Sequence, residues 1–256
     1  MAGWWNNKDV WTIIMSTLKS NVIEPATGTN LSLGAGGDLI DVPSDALQLN
    51  TWKDSGGNTL FTSDGSGIIS SVNSALTGGG PTLISTQTAS SSATVNFTTG
   101  IDSTYDKYMF VFINVRGATN NTHFQFNGST DGGSNYNVTK TTTFFEATHD
   151  ESGGSAEVAY APAYDLAQGT GYQPLGVGLG NDADENINGC LYLFAPSSTT
   201  YVKQFYCTSS GNWHTNGEKN SFIAGYMNTT SAVNALSFNF ASGNIEAGTF
   251  KMYGCR

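Results

Sequence analysis

Charge is the scarcest ingredient of this 256-residue chain: Asp, Glu, Lys and Arg together make up 12% of it, about half the usual share of roughly 25%. Basic residues are fewest, ten Lys and Arg against twenty Asp and Glu, for a formal net charge of -10. Nucleic-acid binding needs clustered cations to displace counterions, and no basic run occurs, so that class is disfavoured together with binding to an anionic membrane surface. Membrane insertion is not expected. Cysteine is also rare. Cys190, Cys207 and Cys255 are an odd set that cannot pair fully within one chain. Cys190 and Cys207 sit in strand-like runs, which reads as buried free thiol. The three histidines, His123, His149 and His214, lie far apart, and no Cys or His pair has zinc-ligand spacing. No Gly-x-Ser-x-Gly elbow is present to anchor a catalytic triad. The opening residues contain neither a continuous apolar h-region nor a small-residue cleavage site, so no secretory signal is visible.

What fills the space is Gly, Ser, Thr and Asn, roughly two-fifths of the sequence, in place of the Leu, Ala, Glu and Lys of an ordinary domain. Ser and Asn compete with the helix backbone for hydrogen bonds, and Thr loses rotamer freedom in a helix. The same residues suit strands joined by tight turns, where Gly and Asn take positive φ. The expected class is therefore all-β.

Three regions follow. Residues 1–25 differ from the rest: Trp4, Trp11, Ile14, Met15, Leu18 and Val22 recur at helical spacing, Asn7 is a candidate cap, and Glu24-Pro25 is a stop. A short amphipathic helix with a stripe of Trp4, Trp5, Trp11, Ile14, Met15 and Leu18 either packs on its own domain or anchors the chain to a larger assembly. Residues 26–81 are Gly-rich, with short strand candidates at Leu47–Trp52, Thr59–Thr62 and Ile68–Ser70, among others. Turn signals at Asp54–Asn58 and Ser63–Gly67 separate them. Such strands carry too few large apolar residues to build a core alone, so a neck formed by several chains is expected, closed by cyclic symmetry as a homotrimer. Residues 82–256 read as one all-β head with about ten strands at short, turn-marked spacing, predicting a jelly-roll-like β-sandwich. The stretch 147–188 is a long, Gly-rich, aromatic loop in this reading, and long loops tend to be functional.

Chemistry-bearing motifs are thin. Gly176-Val-Gly-Leu-Gly180 echoes a phosphate-binding turn, but Asn181 follows and no helix pattern comes after it, so it reads as a loop. Asn181–Asn186 gathers oxygen ligands, with Asp182, Asp184 and Glu185 as weak candidates for a hard cation, yet it lacks Asp-x-Asp-x-Asp-Gly spacing. Glu146, Glu151, Glu157 and Asp165 are available as acids, and their spacing selects no hydrolytic pair. No catalytic residue and no cofactor are assigned. Aromatic rings flanked by Asn and Thr, as in Asn212-Trp-His-Thr-Asn216, suit the apolar faces and hydroxyls of sugars. Rings with one polar end serve equally as interface residues. Tyr160, Tyr164, Tyr172, Trp213 and His214 are the candidate receptor contacts.

Two stretches carry a resemblance. Trp52-Lys-Asp-Ser-Gly-Gly-Asn-Thr-Leu-Phe-Thr-Ser-Asp-Gly-Ser-Gly67 resembles the segment preceding the C-terminal domain in tail and fibre proteins of tailed bacteriophages, especially marine ones. Gly248-Thr-Phe-Lys-Met-Tyr-Gly254 is similar to their closing strand, and Leu83–Ser90 with Ile101–Tyr105 to the opening of the same β domain. The resemblance covers about residues 47–256. It implies a virion component assembled in the bacterial cytoplasm, an elongated homotrimer anchored at its N-terminus to other tail or capsid proteins, with a distal head that meets a host-surface glycan. The alternatives are a capsid or tail decoration protein that stabilises the particle and a glycan-degrading tailspike.

Overall fold

The architecture is that of a computed structural model, which describes residues 51–54, 56–66, 69–72 and 80–255. The expected anchor helix over residues 1–25 and the strand candidates before Thr51 lie outside the described residues. No helix occurs among the described residues, so the all-β expectation holds there. The chain divides into two compact units, Met1–Asn73 and Ser74–Arg256.

In the first unit, β1 (Thr51–Lys53), β2 (Thr59–Ser63) and β3 (Ile69–Val72) form a three-stranded antiparallel sheet. Asp54 makes the first turn: its Oδ1 accepts from Gly56 N at 2.9 Å and Asn58 N at 2.8 Å, and its Oδ2 accepts from Asn58 Nδ2 at 3.0 Å. The Asn58 side chain, foremost, lowers the Asp54 carboxyl below its ordinary range. Trp52 stacks on Phe61 at 5.5 Å, and Trp52, Ile69 and Val72 are all exposed. Three strands this short cannot cover their own apolar face.

The second unit holds twelve strands in one hydrogen-bonded sheet. They are β4 (Thr82–Ser92), β5 (Val95–Phe97), β6 (Lys107–Gly117), β7 (Thr122–Ser129), β8 (Lys140–Asp150) and β9 (Ala156–Tyr160). After them come β10 (Gln173–Leu179), β11 (Ile187–Phe194), β12 (Lys203–Trp213), β13 (Gly217–Met227), β14 (Ala235–Phe240) and β15 (Ile245–Cys255). Every pairing is antiparallel. One ladder runs β4-β15-β6-β11-β12-β13-β8-β9, and a second runs β10-β7-β14-β5. They meet at one corner, where Leu179 of β10 pairs with Trp213 of β12. At the opposite corner the end strands β4 and β5 follow one another across Ala93-Thr94. The result is a sandwich-like sheet that nearly closes on itself.

Alternation puts the core between the two ladders. In β12, Phe205, Cys207, Ser209 and Gly211 are buried while Gln204, Tyr206, Thr208 and Ser210 are exposed. Phe124 lies at the centre, with Phe112 at 5.0 Å, Phe240 at 5.5 Å, and Phe238 and Phe250 each at 6.0 Å. Phe126 meets Phe205 edge-on at 5.0 Å. Such offset and tilted pairs add to the burial of each ring. Behind β8 and β13 the interior turns polar. Thr142 Oγ1 donates to Gln173 Oε1 at 2.6 Å, and Lys140 Nζ donates to Asn127 Oδ1 at 2.5 Å and to Val138 O at 2.7 Å.

All ten predicted head strands are present, and the stretch 147–188 needs correction. It is not one loop: β8 runs on to Asp150, β9 is an edge strand, and the glycine-rich 176–180 lies mostly in β10. Gly176 fits there for lack of a side chain, since a Cβ would stand 2.2 Å from Ile187 Cδ1. The cysteines are free, Cys207 in the core, Cys255 buried at the chain end and Cys190 half-buried.

Candidate functional site

Three connections gather at one end of the head: the β8–β9 turn, the β10–β11 connection and the β12–β13 turn. Each is a tight device. In the β8–β9 turn Gly153 has φ 74°, and Asp150 Oδ1 accepts from Gly154 N at 2.7 Å. The backbone around Ser155, with Gly154 next, holds the Asp150 carboxyl below its ordinary range. In the β12–β13 turn Asn216 has φ 60° and its N donates to Trp213 O at 2.9 Å. In the β10–β11 connection Asp182 N donates to Glu185 Oε2 at 2.7 Å. Gly180 lies against the same carboxylate so closely that a Cβ would stand 2.0 Å from Glu185 Oε2.

Backbone bonds tie the three together. Glu151 N donates to Asn216 O at 3.0 Å, Gly180 N to Asn212 O at 3.2 Å and Asn212 N to Asn186 O at 3.1 Å. Asn186 N returns a bond to Asn212 Oδ1 at 3.0 Å. Between them lies an open hollow of about 260 Å³ lined by Glu151, Asp182, Asp184, Glu185, Asn212, Trp213, Asn216 and Gly217. A second hollow of about 240 Å³, lined by His149, Asp150 and Glu218 among others, shares Glu151, Asn212 and Gly217 with it. Both are smaller than the pockets that enclose a drug-sized molecule. They suit contact with part of an extended ligand.

Trp213 is fixed from behind. Lys219 Nζ stands 4.7 Å from the centre of its ring and donates to Glu146 Oε1 at 3.1 Å, with Lys219 only 8% exposed. A cation over an indole face is favourable and more so when desolvated. Beside the ring, Gly178 takes φ 63° and knots two histidines. Its N donates to His123 Nδ1 at 3.1 Å, and its O accepts from His214 N at 3.0 Å and from His214 Nδ1 at 2.9 Å. Burial, then the Lys219 charge, lowers the His123 pKa, which agrees with Nδ1 acting as an acceptor in the neutral ring.

The five aromatic candidates do not form one cluster. Trp213 and His214 stand at the rim, their ring centres 5.9 Å apart. Tyr164 turns inward, packing on His123 at 5.3 Å and Phe144 at 5.5 Å. Tyr172 donates to Ser237 Oγ at 3.2 Å. Tyr160 is exposed on edge strand β9, its hydroxyl donating to Asp165 Oδ2. Asp182, Asp184 and Glu185 all line the hollow, yet no group of three or more His, Cys, Asp or Glu among the described residues is placed to hold a metal ion. Glu151, Asn216 and Lys219 join the site from distant positions, and only the Gly and Asn turn signals mark where their hairpins reverse. The lining is rich in acceptors and negative, so it suits hydroxyl donors or a cationic group packed beside an indole and repels anions. No protein-family model matches the chain, and neither a curated protein nor a solved structure matches it.

Proposed function

We propose that the chain is a structural attachment protein of a tailed-bacteriophage virion. Its N-terminal residues 1–25 anchor as an amphipathic helix to tail or capsid proteins, residues 26–81 form a trimeric β neck, and the jelly-roll-like head faces a host-surface glycan. The observation that carries this reading is the rim: three connections bonded to one another on a stiff sheet, presenting Trp213 beside four carboxylates. Binding surfaces are typically loops held by a rigid scaffold. The resemblance of residues 47–256 to tail and fibre proteins supports the virion setting, and the exposed Trp52, Ile69 and Val72 of the small sheet support a neck shared between chains. A single shallow site binds weakly, and several linked copies raise avidity by about 10²–10⁴.

Purified full-length protein is expected to bind host cells and to compete with phage adsorption. Trp213 is a poor probe, because removing its ring uncovers Lys219. Glu151→Gln with Asp184→Asn changes the exposed lining alone and is expected to abolish competition while leaving thermal stability unaltered. Wild-type protein that neither binds cells nor slows adsorption would favour a decoration protein. Release of oligosaccharide from host polysaccharide would favour a tailspike.

A further inference from the structure

Part of the outer face of the long ladder is apolar, whereas the water-facing side of an antiparallel sheet is ordinarily polar. Pairing aligns two rows of side chains across it. One row runs Thr86, Lys251, Val111, Cys190, Thr208, Phe222, Phe145, Tyr160, each directly opposite the next. The neighbouring row runs Leu83, Tyr253, Met109, Tyr192, Tyr206, Ala224, Thr143. Within these rows Phe145 stacks on Phe222 and Tyr192 on Tyr206, each pair with centres 4.8 Å apart. Phe145 is 42% exposed, Tyr206 44% and Tyr160 54%. Contiguous apolar surface on this scale marks an interaction site.

The charges on the face say what covers it. Neither row contains a carboxylate. The cations lie toward one flank, Lys251 on β15 and Lys107 on β6, whose Nζ stands 5.7 Å from the centre of the Tyr192 ring. Of the anions, Asp165 lies at the other flank, where it accepts from Tyr160, and Glu218 lies beyond the rows on β13, where it accepts from Ser210 Oγ. A partner of uniform charge would meet like charge at one flank. A second copy of the same face, turned about an axis along the strands, sets each flank against its opposite. A face-to-face twofold does this, and so does a threefold with three faces toward a common axis. The size also suits. Beside these two rows runs a shorter third, with Lys107 opposite Phe194 and Tyr226 between Gln204 and Thr141. Three rows over eight strands at ~4.8 Å spacing cover roughly 34 by 20 Å measured along the sheet, about 700 Å² per copy, close to the ~800 Å² per partner of a standard interface.

We infer that this face is an interface between copies of this chain, with the Lys107 and Lys251 flank of one copy set against the Tyr160 and Asp165 flank of the next. The inference deepens the proposed function by naming the surface through which heads associate, and it rests on that reading only for the virion setting.

Zero-length cross-linking of full-length protein tests it directly. In one chain Lys251 lies on β15 and Asp165 is bonded to Tyr160 of β9, six strands along the ladder, so an amide between them joins two copies. A carbodiimide applied to a mixture of ¹⁴N- and ¹⁵N-labelled chains is expected to give mixed-isotope peptides linking Lys107 or Lys251 to Asp165. Phe145→Glu is expected to weaken association roughly 30-fold, the effect of losing an interface hot spot. Lys251→Glu should weaken it as well, and adding Asp165→Lys should restore it, a rescue that general unfolding cannot mimic. A folded monomer at micromolar concentration overturns the inference, as do associated chains that never cross-link through this face. Chains that cross-link here but do not bind host cells would retire the attachment reading and leave this one standing.

Discussion

Lys140 offers a test of the head's interior by pH. It is fully buried, and burial pushes its ammonium down from an ordinary 10.5 to about 7. Its backbone pairs with Gly169, and its side chain donates to Asn127 Oδ1 and Val138 O. Asn127 Nδ2 in turn donates to Tyr136 O at 2.6 Å and Thr170 O at 3.0 Å, so the lysine supports two loops through one amide. Between pH 7 and 10.5 the unfolded chain holds a proton at this site that the folded chain lacks, so stability rises with pH across that window. Each pH unit is worth ~1.4 kcal/mol, so the full window amounts to ~5 kcal/mol and the interval from pH 7.5 to 9.5 to about 2.5 kcal/mol. Below pH 7 both states are protonated and the slope from this group vanishes. Lys140→Met removes the charge but leaves Val138 O without this donor, at a cost of ~1–3 kcal/mol. The variant should therefore be the more stable protein at pH 7 by a few kcal/mol, with the advantage shrinking toward pH 9.5. Lys203 is also buried and its pKa also lowered, but it is present in both proteins and cancels in the difference. Urea unfolding of wild type and Lys140→Met at pH 6.5, 7.5, 8.5 and 9.5 provides the comparison. Equal pH slopes for the two proteins would refute the reasoning.

Two further changes probe the rim's support. Gly178→Ala places a side chain at φ 63° with its Cβ 3.1 Å from Trp213 Nε1, and should cost roughly 1–3 kcal/mol in chemical denaturation. An unchanged midpoint would mean that the Gly178 knot is loose in solution. His123 has a lowered pKa, so below its ordinary value of 6.5 the unfolded chain gains a proton first, and stability falls as pH drops. His123→Gln should flatten this acid limb without altering the limb above pH 7.5, as read from thermal midpoints between pH 4.5 and 7.

The sequence by itself determined the fold class and most of the strands. Alternation in Phe124-Gln-Phe126 and Leu236-Ser-Phe238-Asn-Phe240 survives as buried rows of β7 and β14, because a period of two is imposed by the pleat wherever one face meets a core. The Gly, Asn and Asp turn signals likewise fell at hairpin tips, since positive φ is a local demand. Edge strand β9 escaped because Ala156–Tyr160 has no buried face to leave a pattern. β10 escaped because its glycines answer to the close approach of Ile187, a neighbour only in space. Nothing in the sequence around Lys140 and Lys203 marks them as buried, and only the acceptors supplied by Asn127, Val138, Tyr201 and Thr229 make their burial tolerable. The apolar outer face was hidden in runs such as Tyr108-Met-Phe-Val-Phe112, where both phases are apolar and composition cannot say which side meets the core. The rim joins residues from Glu151 to Gly217, and its carboxylates meet Trp213 only because β12 pairs with β10 at one corner of a nearly closed sheet. Short-range geometry was legible in the order of the residues, whereas proximity between distant hairpins arose from register and closure, which no local stretch of sequence encodes.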